Sequence, residues 1–257
     1  NYDVGTLGNH EFDFGIEFLE KMLSDIRYPI INANIVDEQQ DSWIEPYVIL
    51  DRMLTSDAGC ECPIKIGVIG VLPPQVTQWN HKVFADYAHT HQSLQANDIL
   101  DSIHRYIPDM RRKGADLIFV LAHSGFSNRA YEKGAENVIQ FLADIDGVDG
   151  IIAGHAHSAF PDQIHHFDTP IVMAGAFGQY LGAIDLALDY ENGAWTIVNQ
   201  HSSLLKNTQS EQLTTSLFET IRPAHSLALE LMNLPIGENR TVFTSALSLI
   251  QDDACIQ

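Results

Sequence analysis

Positively charged side chains are scarce in this sequence. Its 257 residues include 14 Lys and Arg against 34 Asp and Glu, which gives a formal net charge of -20. Such an acidic chain is a poor partner for nucleic-acid polymers or anionic membranes, because both repel it electrostatically. Long apolar runs are also missing, since no stretch approaches the roughly 20 apolar residues that a membrane-spanning helix needs. Both absences argue against a nucleic-acid-binding or membrane-spanning protein.

Cysteine is rare as well, with three residues in the chain. Cys60 and Cys62 are separated by one residue in a predicted hairpin loop, and Cys255 lies in the C-terminal tail. A disulfide across one residue is strained, and a zinc site needs more ligands than this pair supplies. We interpret the cysteines as unpaired loop thiols. The chain starts at Asn1 without a Met, so the lack of a visible signal segment says nothing about secretion.

Three apolar runs lead into a histidine that has a glycine within two residues. They lead to Gly8-Asn9-His10, to His123, and to Gly154-His155-Ala156-His157. Strand ends in open α/β sheets gather ligands, so the three ends can converge, and on a regular strand His155 and His157 would share a face. Imidazoles that converge in this way suit zinc, manganese, iron or nickel. The sequence predicts a metal centre; the alternative is three unrelated histidines at strand ends.

Two residues beside Asn9 extend this prediction. His10 carries an imidazole that can titrate near neutral pH, and Asp13 follows it by three residues. At that spacing the carboxylate can fix which ring nitrogen of His10 carries the proton. Ser124 is not expected to act as a nucleophile, because no Gly-x-Ser-x-Gly elbow surrounds it.

Apolar periodicity predicts an α/β fold with a mixed sheet, because strands alternate with helices before three strands follow without helices. Asn192-Gly193 predicts a hairpin turn. Pro108 predicts a bend or an interruption of its helix, and Pro223 predicts a kink or a late helix start. The predicted helices span 16–23, 97–113, 135–145 and 213–234; the predicted strands span 29–36, 46–53, 64–72, 116–122, 149–153, 170–175, 181–190 and 195–203.

The other histidines in polar stretches are interpreted as surface or structural residues. The histidines concerned are His89, His91, His104, His165 and His166.

The Gly-rich turn 175–178 has two interpretations, a plain turn or one that presents backbone N–H groups to an anion, with Phe177 as a pocket wall.

The motifs together resemble the calcineurin-like metallophosphoesterases, and within them the bacterial 5'-nucleotidase family. The Pro-Pro-Gln…Gln-Trp segment and His rather than Gln at position 157 favour members that act on 2',3'-cyclic nucleotides and 3'-nucleotides. The segments that carry the resemblance are 2–12, 69–75, 78–79, 154–157, 235–237 and 249–253.

The resemblance implies a four-layer α-β-β-α sandwich with mixed sheets. It implies that a hydroxide activated by two divalent ions (Mn, Zn, Co, Fe, Ni or Mg) hydrolyses nucleotide phosphoesters, as a 2',3'-cyclic-nucleotide 2'-phosphodiesterase/3'-nucleotidase does. Asn9, His123 and His155 would ligate one metal and His157 the other. His10 would stabilise the transition state or protonate the leaving oxygen, while Asp13 orients it. A periplasmic or cell-envelope location is also implied.

The sequence departs from the family at both ends. Members carry an Asp-x-His and a Gly-Asp upstream of the Asn9 motif, and no Asp-x-His exists in this chain. We therefore expect an incomplete catalytic domain over 1–205, a linker helix over 206–234 and the start of a second domain over 235–257.

Three consequences follow from this expected truncation. The truncation favours a chain that binds at most one metal and lacks activity, and an exposed sheet edge that promotes oligomers. The alternative activity is that of a 5'-nucleotidase or nucleotide-sugar pyrophosphatase.

Overall fold

The computed structural model describes residues 2–162, 165–207 and 211–238, without the side chains of 211–216. The chain divides into two compact units, Asn1–Asn207 and Thr208–Gln257. Cys255 and the motif at 249–253 lie outside the described residues. The assignment of the units as catalytic domain, linker and second domain stays a prediction.

In its described residues, the first unit combines short and long strands with five α-helices. The helices are α1 (Ile16–Asp25), α2 (Val76–Trp79), α3 (His81–Ala88), α4 (Ile99–Arg112) and α5 (Ile139–Leu142), and a 3-10 helix spans His10–Phe12. The strands are β1 (Gly5–Thr6), β2 (Ile30–Ile31), β3 (Ile35–Val36), β4 (Tyr47–Thr55), β5 (Glu61–Val71), β6 (Gln95–Ala96), β7 (Leu117–Ala122), β8 (Gly150–Ala153), β9 (Ala159–Phe160), β10 (Ile171–Ala174), β11 (Tyr180–Glu191) and β12 (Ala194–Lys206).

A six-stranded mixed sheet forms the centre of this unit, in the order β4-β5-β7-β8-β10-β9. Its four inner strands are parallel, and the two edge strands β4 and β9 are antiparallel to their neighbours. β5 and β7 are rich in Ile, Val and Leu, as expected for parallel strands that are covered on both faces. The predicted α/β fold with a mixed sheet is confirmed.

The main apolar core lies against the central strands. α4 presents Ile99, Ile103 and Met110 to it, as its helical periodicity predicts, and all three are fully buried. Asp98 caps this helix, accepting a bond from the Asp101 N–H at 3.0 Å. Pro108 lies within the helix without ending it.

A second core supports the N-terminal segment. Phe12 is fully buried there, with its ring stacked 5.2 Å from that of Phe84. The parallel pair β1–β2 packs on β5 at Gly70, where a Cβ would collide with the C=O of Ile31 at 2.5 Å. The segment that carries Asn9 and His10 is therefore fixed from both sides.

β11 and β12 form a long antiparallel hairpin, and its turn is the predicted one. Asn192 and Gly193 have φ of 54° and 83°, the left-handed values that a two-residue hairpin turn requires. In the second unit, α6 (Glu211–Met232) contains Pro223 inside the helix, so a late helix start at Pro223 was wrong.

Several helix predictions differ from the structure. The predicted helix 135–145 is reduced to α5, because residues before Ile139 form a loop bonded to the end of β7. α2 and α3 were not predicted. Gly15 occupies the N-cap of α1, and Asp13, just before it, is hydrogen-bonded to His10. Among the described residues, no helix has the length and apolar character needed to cross a membrane.

Candidate metal centre

The predicted metal-binding residues follow strands that end level with one another. Val71, Ala122 and Ala153 are neighbours in the register of β5, β7 and β8. Beyond the strands, the His123 N–H donates to the C=O of Val71 at 2.9 Å, and the Gly154 N–H donates to that of Ala122 at 3.0 Å. Parallel strands present their carboxyl ends at one edge, so this edge is where a ligand site is expected.

Asn9 reaches the same edge from the loop after β1. Its Oδ1 lies 2.9 Å from Nε2 of His123. This approach requires Gly8, where a Cβ would lie 2.8 Å from Cε1 of His123 and 2.9 Å from both ring nitrogens. Asn80 steadies the loop by donating from Nδ2 to the C=O of Asn9 at 3.4 Å. The structure thus brings Asn9 and His123 together.

His155 lies beside His123, with 5.0 Å between the ring centroids. The Trp79 ring stacks on that of His155 at 5.9 Å and an interplanar angle of 23°. β8 ends at Ala153, and both His155 and His157 adopt left-handed backbone with φ of 67° and 55°. The expectation that strand alternation would align these two rings was therefore wrong, because both lie in a turn.

His157 occupies the solvent side of this turn. It is exposed, and its ring centroid lies 6.2 Å from that of Phe177. Phe177 belongs to the Gly-rich turn 175–178, has a φ of 53°, and is 98% exposed. The structure places these two rings near each other, and the role of the turn in anion binding stays a prediction.

Glu136 is the residue of this site that sequence reasoning missed. Its Oε1 lies 2.6 Å from Nε2 of His155. It sits in the loop before α5, which the sequence analysis assigned to a helix. No motif or period marks it, because its position depends on a loop that folds back to the strand ends.

His10 and Asp13 form the predicted pair. Nδ1 of His10 lies 2.8 Å from Oδ2 of Asp13, and the His10 side chain is 80% exposed. The 3-10 helix that contains His10 holds the pair, since Phe12 anchors this helix in the second core. The contact leaves Nε2 of His10 available to a ligand from solvent.

Burial affects the protonation of His123. Burial, with smaller electrostatic contributions from His155, His10 and His157, lowers the pKa of His123 to about 4. The imidazole is therefore neutral near pH 7 and offers a lone pair to a cation.

The side-chain donors at this sheet edge meet part of what a divalent cation requires. Among the described residues, no group of three or more His, Cys, Asp or Glu side chains could hold a metal ion. The amide oxygen of Asn9 and the imidazoles of His123 and His155 nevertheless meet at one edge, and mixed oxygen and nitrogen donors fit borderline divalent metals. These three residues fit part of one metal position.

The remaining residues singled out from the sequence lie away from this edge or serve the backbone. Ser124 is fully buried, and its Oγ donates to the C=O of Glu136 at 2.8 Å, which is a structural role. The histidines predicted to be at the surface are all exposed, namely His89, His91, His104, His165 and His166.

Comparison with known proteins defines the class to which this fold and site belong. The family described as calcineurin-like phosphoesterase matches residues 2–159. The chain therefore belongs to the calcineurin-like phosphoesterases, a family of hydrolases, as the sequence analysis predicted.

Two relatives and one solved structure show which members of the family this chain is similar to. The chain is 35% identical to the trifunctional nucleotide phosphoesterase protein YfkN of Bacillus subtilis, over all of this chain and 18% of the relative. It is 34% identical to the 2',3'-cyclic-nucleotide 2'-phosphodiesterase/3'-nucleotidase of Salmonella typhimurium, over all of this chain and 42% of the relative. The crystal structure of YfkN superposes with a TM-score of 0.80 at 34% identity, covering 91% of this chain and 72% of that one. The chain thus spans less than half the length of these two curated relatives.

Proposed function

We propose that this site hydrolyses nucleotide phosphoesters with a divalent metal, and that it prefers 2',3'-cyclic nucleotides and 3'-nucleotides. The observation that carries the proposal is the meeting of Asn9, His123 and His155 at one sheet edge, with the His10–Asp13 pair on the adjoining loop. The substrate class is supported by the name of the Salmonella relative.

In this proposal Asn9, His123 and His155 would hold the metal, which would act as a Lewis acid on the phosphoryl oxygens. His10 acts on the leaving side of the phosphorus. Because Nδ1–H of His10 donates to Asp13, Nε2 is the nitrogen that faces the leaving ribose oxygen, and the imidazolium form of His10, with a proton on both nitrogens, donates the Nε2 proton to that oxygen. His123, whose pKa is lowered to about 4, does not take up that proton.

Hydrolysis of three substrates tests the proposal. We expect the chain with Mn²⁺ to release phosphate from a 3'-nucleotide, to open a 2',3'-cyclic nucleotide, and to act more slowly on a 5'-nucleotide. A preference for the 5'-nucleotide would point instead to a 5'-nucleotidase or nucleotide-sugar pyrophosphatase. His104→Ala serves as the control variant, because this histidine is exposed on α4.

A second candidate is a catalytically incomplete domain that binds one metal or none. It is favoured by the donor geometry: His157 lies in a solvent-side turn, and the described residues include no cluster of three His, Cys, Asp or Glu ligands. Elemental analysis after dialysis against Mn²⁺ and Zn²⁺ separates the two candidates. Two equivalents per chain favour the two-metal phosphoesterase, whereas one or none, without hydrolysis, favours the incomplete domain.

We also propose a periplasmic or cell-envelope location, which the family resemblance supports. Immunodetection of the native protein in fractionated cells of its source tests this, and recovery with the cytoplasmic fraction alone would contradict it.

A further inference from the structure

We propose that Glu136 is a positioning residue of the metal centre, which fixes the proton of His155 on Nε2 and leaves Nδ1 as the nitrogen that binds the metal. This inference rests on the proposed metal site and deepens it. It adds a residue from a loop that neither the motifs nor the family resemblance included.

The contact between Glu136 and His155 shows which ring nitrogen of His155 carries the proton. Oε1 of Glu136 lies 2.6 Å from Nε2 of His155, and the two side chains are 37% and 15% exposed. An ionised carboxylate only accepts hydrogen bonds, so the proton between them belongs to Nε2. Nδ1 of His155 makes no hydrogen bond among the described residues, and in the neutral ring it holds the free lone pair.

The second step is that Glu136 is held in place independently of His155. Its C=O accepts from Oγ of Ser124 at 2.8 Å, and the same Oγ accepts from the Val138 N–H at 3.0 Å. Next to it, Oδ1 of Asn137 accepts from the N–H of Gly125 at 2.9 Å. These bonds tie the loop to Ser124 and Gly125, which follow His123 at the end of β7. The backbone that carries the Glu136 carboxylate is therefore fixed in position.

The third step is that the ring of His155 has few other orientations. Its backbone is in the left-handed region, with a φ of 67°. Trp79 stacks on the ring at 5.9 Å, which leaves the ring edge as the part that meets other groups. A histidine that binds a metal commonly donates its other N–H to a carboxylate, and losing that partner typically costs 10–100-fold in metal affinity. Glu136 and His155 have the geometry of such a pair.

The test compares Glu136→Ala, Glu136→Gln and Glu132→Ala. Glu132 is exposed on the same loop, so its removal matches the loss of charge without touching His155. Calorimetric titration with Mn²⁺ should show a dissociation constant raised about 10–100-fold in Glu136→Ala. Glu136→Gln, which keeps an acceptor oxygen, should recover part of that loss, and Glu132→Ala should match the unchanged chain. Unchanged affinity in a folded Glu136→Ala variant would overturn the proposal.

Nitrogen NMR of the histidine rings gives a readout that a purely structural role would not move. In the metal-free chain His155 should be protonated on Nε2, and Glu136→Ala should lose this preference. With Zn²⁺ bound, the metal should shift Nδ1 while Nε2–H remains; a metal on Nε2 overturns the proposal. If the unchanged chain binds no metal, the proposed function fails, while the metal-free spectra still decide which nitrogen of His155 carries the proton.

Discussion

At the scale of single residues, the site depends on how closely Asn9 and His123 approach. The contact of 2.9 Å between them exists only because position 8 carries no side chain. We expect Gly8→Ala to displace the His123 ring, to destabilise the fold by about 1–3 kcal/mol, and to weaken Mn²⁺ binding at least about tenfold.

Urea unfolding and calorimetric titration measure these effects of Gly8→Ala. Gly237→Ala is the control, since a Cβ there meets nothing within 4 Å. Equal metal affinity in the two variants would show that Asn9 and His123 do not act together.

Substitution of His10 should lower catalysis without weakening metal binding, unlike substitution of Gly8. If His10 assists the leaving group, His10→Asn should lower kcat by about 10²–10⁴-fold, the usual contribution of a general acid. Mn²⁺ affinity should stay unchanged, because the ring is paired with Asp13 and is not among the proposed metal donors. Steady-state kinetics and titration of the same preparation measure both quantities, and a joint loss of metal and activity would instead make His10 a ligand.

The partly buried ring of His123 makes the stability of the metal-free chain depend on pH. Burial lowers the pKa of His123 from 6.5 to about 4, so between these values the unfolded chain binds more protons than the folded one. Stability is therefore full above about pH 6.5, falls as the pH decreases toward 4, and levels off below. Urea unfolding between pH 4 and 7, repeated with His123→Asn, should show a slope that this variant reduces. An identical slope in both proteins would contradict the assignment.

At the scale of elements, the long central strands and α4 were predictable, whereas the loops and several short elements were not. α4 followed from the spacing of Ile99, Ile103 and Met110, and the hairpin turn followed from Asn192-Gly193. Such local patterns contain the period or the turn conformation itself.

The position of Glu136 could not be predicted in the same way. Its loop is determined by side-chain bonds to Ser124 and Gly125, which lie more than ten residues earlier in the chain. The spacing of apolar residues carries no information about such contacts, so the site was predicted through Asn9, Asp13 and its histidines, without Glu136.

Asp98 links α4 to the loop that precedes Glu136. Besides capping α4, its carboxylate accepts from the Tyr131 hydroxyl at 2.8 Å and from the Gly134 N–H at 2.7 Å. Asp98→Ala should therefore cost about 2–4 kcal/mol, which combines a lost cap with buried donors left unpaired.

Asp101→Ala is the matched control for this substitution. Asp101 forms an exposed ion pair with Lys133, and such pairs contribute about 0–1 kcal/mol. Chemical unfolding of both variants decides, and similar losses would show that Asp98 acts only through its charge.

At the scale of the whole molecule, the formal charge of -20 opposes the proposed substrates. Nucleotides are anions, so the overall field of the protein repels them, and attraction arises only near a bound metal. The Debye length, the distance over which exposed charges act before salt screens them, is about 30 Å at 0.01 M salt but about 8 Å at 0.15 M. Added salt should therefore remove the long-range repulsion while leaving the short-range attraction to the metal.

This balance predicts that KM falls as the salt concentration rises, the reverse of an enzyme with a basic surface. We expect a decrease of about two- to tenfold between 0.01 and 0.15 M salt, with kcat unchanged. The decrease should be larger for a 3'-nucleotide, whose phosphate monoester carries about -1.5 to -2 charges near pH 7, than for a singly charged 2',3'-cyclic nucleotide. These two substrates control for each other, because they differ mainly in charge. A KM that rises with salt for both would mean that the field at the site is positive despite the acidic chain, which would place more metal charge there than Asn9, His123 and His155 alone are proposed to hold.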